Sequence, residues 1–155
     1  MQAGGMVMDE TIQLLKDVAK NARTGEEALG QLLEKVESPE MRGELDRELR
    51  QYRLAAQQAE SALEQAGAAP EPVGAMQKAG MWMGTQMNTL TDRSNAHIAE
   101  MVIQGATMGI IEMTKARNTC PDAAPDAAGL ASRFIVDQND IIERQKAYLR
   151  EPALV

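Results

Sequence analysis

The chain has one cysteine, Cys120, among 155 residues. No disulfide can form within it, which fits a reducing compartment. Aromatic residues are scarce: Tyr52, Trp82, Phe134 and Tyr148 are the whole set. Sheets draw on aromatic and β-branched side chains, so this poverty argues against a β fold and is tolerable in a helical one. Histidine occurs once, at His97, which excludes any site needing two imidazoles from a single chain. Basic residues are outnumbered, 16 against 23 acidic, for a formal charge of −7. Nucleic-acid binding would need a clustered basic face. Here Arg42, Arg47, Arg50 and Arg53 alternate with acids, as on a solvated helix. No apolar run approaches the roughly twenty residues of a membrane span. Residues 1–9 lack the charged start and apolar stretch of a signal peptide. A soluble, cytoplasmic protein with no nucleic-acid or membrane partner is therefore expected.

What is present is helical periodicity. After Asp9, a plausible N-cap, apolar residues recur at spacings of three and four: Ile12, Leu15, Ala19, Ala22, Leu29, Leu33 and Val36. This predicts a first helix over about 9–36, weakened at Gly25. Ser38 followed by Pro39 is a start signal for a second helix over 39–66, with Met41, Leu45, Leu49, Tyr52, Ala56, Ala59 and Leu63 inward. Gly67, Pro70 and Pro72 end it. A short helix is expected within 73–83, with a bend near Gly84. The third helix is expected over 86–118. It holds the most apolar long stretch, Ser94 to Thr114, and includes Met87, Met101, Met108 and Met113. The fourth is expected over 126–150, with Leu130, Phe134, Ile141 and Tyr148 inward. Four helices of similar length in one domain of residues 1–155 predict an all-α four-helix bundle. Residues 67–85 are then long enough to be a crossover or bent segment between helices two and three.

Three stretches, KNARTGEEALGQLLEKV, MNTLTDRSNAHIAEMVIQGATMGIIEMTK and IIERQKAYL, resemble an uncharacterised bacterial family of small helical, ferritin-like proteins. The resemblance implies a ferritin-like, cytosolic bundle and brings no activity with it. In di-iron members of that wider superfamily, two helices each give an inward Glu and two each give a Glu-x-x-His. Glu26 can stand for the first of these. The rest is mostly absent: helix two offers Tyr52, helix three has His97 and Glu100 in reversed order, and helix four has Gln138 at the critical height. A standard di-iron centre is excluded within one chain.

Glu26, Tyr52, His97 and Gln138 are each expected near mid-helix, where they would meet as a hydrogen-bonded polar core layer fixing register. The competing reading makes Glu26, His97, Glu100 and Asp137 an altered carboxylate–histidine site for iron, manganese or zinc. The methionines read as adaptable core filler rather than copper ligands. Cys120 follows a helix C-terminus, where the dipole does not favour a thiolate. Ser94 and His97 lack the orienting acid and oxyanion donors of a hydrolase. Gly105 and Gly109 permit close helix packing, inside the bundle or at a dimer seam. The sequence thus predicts a non-catalytic, ferritin-like bundle without a cofactor, a scaffold or self-association module that forms a homo-oligomer, a dimer in the first instance. The alternative is a metal-binding or redox protein using the altered site.

Overall fold

Four long helices occur among the described residues of the computed structural model, which are 2–72, 84 and 86–150, and no strand occurs among them. They are α1 (Gln2–Leu33), α2 (Pro39–Gln65), α3 (Asn95–Thr119) and α4 (Pro125–Lys146). The protein is all-helical, and no helix among the described residues is long and apolar enough to cross a membrane.

Local chemistry sets the ends. The Arg42 guanidinium reaches back to the carbonyls of Leu33 and Val36, at 3.1 and 2.8 Å, satisfying acceptors that the end of α1 leaves open. Ser38 is the N-cap of α2: it is extended, and its hydroxyl accepts from Met41 N at 3.3 Å. Gly67 closes α2 with φ +74°, and Ala68 N bonds back to Leu63 O, as in a Schellman turn. α3 is capped by Ser94, whose hydroxyl accepts from His97 N at 3.2 Å.

Two helix ends come earlier than expected, α1 at Leu33 rather than 36 and α4 at Lys146 rather than 150, and two starts move further. α1 begins at Gln2 rather than Asp9, so Asp9 caps nothing and lies exposed within the helix. α3 begins at Asn95 rather than at residue 86. Residues 86–88 form a helical turn, but Leu90–Ser94 are not helical. The cap at Ser94 therefore overrides the apolar periodicity that runs through it. The expected helix over 73–83 lies outside the described residues.

The helix directions follow from contacts between ends. Asn95 Nδ2 donates to Ser38 Oγ at 3.3 Å, so α3 starts where α2 starts. Ala124 N donates to Thr11 Oγ1 at 2.8 Å, so α4 starts near the N-terminal part of α1. α2 and α3 thus run parallel, each antiparallel to its sequence neighbour, and the connection between them joins opposite ends. The core between the helices is built from aliphatic side chains, among them Leu14, Leu32, Leu45, Leu63, Ile98, Met101 and Ile141, all essentially inaccessible.

Candidate functional site

At mid-height Tyr52 of α2 meets Gln138 of α4. The phenol donates to Gln138 Oε1 at 2.6 Å, and its ring packs against Phe134 with centroids 6.1 Å apart. Burial above all pushes the phenol pKa up, so Tyr52 stays protonated as a donor. α1 comes close because Gly25 faces this ring, and α3 because Gly109 faces Gln138 Oε1. A cavity of about 40 Å³ remains here, lined by Gly25, Tyr52, Gly105, Gly109, Phe134 and Gln138 among others. That has room for water rather than for a cofactor. Gly109 thus packs against α4 inside the protein, while Gly105 lines the cavity.

The other two members of the expected layer do not join it. Glu26 lies towards the surface, accepting from Arg53 at 2.8 Å and Arg23 at 2.7 Å. Partial burial raises its pKa, but the two guanidinium bonds outweigh that and the net shift is downward. Arg23 bridges onward to Glu60, so Glu26 belongs to an ion-pair network tying α1 to α2. Its charge is met by arginine, which leaves it no need of a buried partner. His97 sits in the first turn of α3, because that helix starts later than its apolar pattern suggests. It lies at the Ser38 end, whereas Glu26 is level with Arg53. Glu100 is exposed, and Asp137 is half-buried, with burial chiefly raising its pKa. No group of three or more His, Cys, Asp or Glu side chains able to hold a metal forms among the described residues, Glu26, His97, Glu100 and Asp137 included.

Two further candidates are structural. The Ser94 hydroxyl is occupied as a cap on the His97 amide, not poised against its ring. Cys120 is buried, and burial, with Asp17 and Glu10 adding to it, raises its thiol pKa, the reverse of what a nucleophile needs.

What the sequence reading missed is a second polar pair, one turn away along α2 and two along α4. Glu48 of α2 and Gln145 of α4 are both completely buried, and Gln145 Nε2 donates to Glu48 Oε2 at 2.7 Å. Beside them Arg144 bonds Glu44 at 3.0 Å and Gln51 at 2.9 Å, and it also pairs with Asp140. The signal was positional. Met41, Leu45, Glu48, Tyr52 and Ala56 keep the 3–4 spacing, as do Phe134, Gln138, Ile141 and Gln145. The chain matches no family model, no curated protein and no solved structure.

Proposed function

We propose that the chain is a non-catalytic, ferritin-like helical bundle that acts as a scaffold through self-association, as a homodimer in the first instance. The ferritin-like part is supported by the parallel α2 and α3, which call for an end-to-end connection between two antiparallel helix pairs. The scaffold part is supported by where the inward polar groups go. Tyr52, Gln138, Glu48 and Gln145 bond one helix to another, and the cavity beside them suits only water.

One observation carries the self-association. Glu10 and Thr11 accept from the backbone of the α3–α4 link at Asp122 and Ala124. The turns of α1 before them extend beyond that link by about 12 Å, taking 1.5 Å per residue. They carry Met6, Val7 and Met8, which are 54%, 38% and 51% exposed. An apolar helix end without cover is suited to pairing with its copy, and its small area implies concentration-dependent association. A cytoplasmic setting fits the single buried thiol.

Sedimentation of the full chain over a wide concentration range tests this. A monomer–dimer equilibrium is expected, and it should be lost in Met6→Glu/Met8→Glu while helicity is retained. A wild-type protein that stays monomeric at the highest concentration refutes the reading. Protein purified without chelator is expected to carry iron, manganese and zinc well below stoichiometry. Stoichiometric metal lost on His97→Ala would favour the altered-site alternative instead.

A further inference from the structure

The seam between α2 and α4 contains a carboxyl with an unusual set of partners. Gln145 Nε2 supplies one hydrogen to Glu48 Oε2. The remaining oxygen on each side, Glu48 Oε1 and Gln145 Oε1, is buried and meets no donor. Two acceptors left bare on one dry pair are costly, because neither can turn to water. A carboxylic acid and a primary amide can join by two parallel bonds, N–H to one oxygen and O–H to the other. That arrangement needs one hydrogen more than an ionised Glu48 supplies.

We propose that Glu48 is a neutral carboxylic acid in the folded protein, its Oε1–H donating to Gln145 Oε1 while Gln145 Nε2–H donates to Glu48 Oε2, and that this proton locks the α2–α4 seam. A single proton then satisfies both bare oxygens. The surroundings favour it. Burial first, then the neighbouring Glu44 carboxylate, push the Glu48 pKa up to about 9, against the opposing pull of Gln145 and Arg144. Arg144 is committed to Glu44, Gln51 and Asp140, so its charge is shared. The tyrosines nearby, Tyr52 on α2 and Tyr148 on α4, are pushed up chiefly by their own burial, with neighbouring carboxylates adding to it, and stay neutral. α1 and α3 contribute apolar side chains at this end, Leu32, Ile98 and Met101 among them. The titratable group of the first turn of α3 is His97, half-exposed.

The sign of the pH dependence follows. The folded-state pKa lies above the unfolded value of 4.5, so the folded chain keeps a proton that the unfolded chain releases. Stability from this group is full below 4.5 and declines as pH rises towards 9. Above that, an ionised Glu48 stands beside Glu44 in a dry seam, and α2 and α4 loosen where α2 starts and α4 ends.

Glu48→Gln carries the missing hydrogen permanently. Its amide can donate to Gln145 Oε1 and accept from Gln145 Nε2, and it never ionises. Urea unfolding of the full chain between about pH 5 and 9 should show wild-type stability falling, with a flatter profile in E48Q. At pH 8 the folded-to-unfolded ratio of E48Q should exceed that of wild type by at least about tenfold. In wild type labelled at its glutamate carboxyl carbons, one resonance should fail to titrate below pH 8, and it should be missing from E48Q. If E48Q fails to fold, the wild-type titration decides alone. An E48Q that is weaker than wild type at pH 8 with an unchanged slope overturns the proposal. So does a full set of glutamate carboxyls titrating in the ordinary range.

Discussion

A methyl group at position 25 would lie closer to three carbons of the Tyr52 ring than real Cβ contacts allow. That ring cannot easily give way, since its hydroxyl is bonded to Gln138 and it lies tilted against the Phe134 ring. Alanine in a helix interior ordinarily gains about 0.5–1 kcal/mol over glycine. Overpacking a fixed contact costs about 1–3 kcal/mol. Gly25→Ala is therefore expected to lower the urea midpoint. Gly30→Ala in the same helix, with nothing within 4 Å, should raise it. A rise in both would show that Tyr52 can move aside. At this scale the sequence was partly legible. Tyr52 and Gln138 stood out as polar groups on an apolar stripe, and they do meet. Glu48 and Gln145 occupy the same stripes but stand beside charged residues in the chain, Arg47 and Arg144 with Lys146. Helical spacing gives a position its face, yet a residue's polarity usually outvotes its position when the core is guessed. Glu26 failed in the opposite way. The inward position there is Gly25, which faces Tyr52, and the Glu26 carboxylate pairs with Arg23 and Arg53 towards the surface.

Among the elements, the helix starts carry more information than the apolar patterns. Ser38 and Ser94 both cap a helix, but Ser38 has a second task. Its hydroxyl accepts from Met41 N and also from Asn95 Nδ2, so one oxygen fixes the start of α2 and the position of α3. Loss of a cap costs about 0.5–2 kcal/mol. Ser38→Ala should cost more than Ser94→Ala, and a double-mutant cycle with Asn95→Ala should show coupling between positions 38 and 95. Zero coupling would mean that the Asn95 contact contributes nothing in solution. The Ser-Pro start of α2 and its Gly67 stop were legible because both signals are local. The start of α3 was misjudged because Met87 and Leu90 continue its apolar phase upstream. Met87 is buried even though the helix is interrupted between it and Ser94.

For the molecule as a whole, helix lengths could be read from the sequence but helix directions could not. Directions are set by bonds such as Asn95 to Ser38 and Ala124 to Thr11, between residues 57 and 113 positions apart. No local pattern encodes such pairings, so a crossover and a simple bend both remained open.

The pairing of α1 with α2 and of α3 with α4, each through a short link, also has a kinetic consequence. Each pair closes a small loop and can zip up on its own. The polar seam joins residues 86 and 97 positions apart, and its closure waits on a large loop. Docking of two preformed hairpins is then the late event. A substitution at that seam, such as Tyr52→Phe, should speed unfolding and leave the refolding rate nearly unchanged. Stopped-flow measurements in urea would show this as a shift of the unfolding arm alone. A slowed refolding arm would place the seam in the nucleus instead. If docking is late, the lifetime of the folded state is governed by the contacts between the hairpins, and the speed of reaching it by the hairpins themselves.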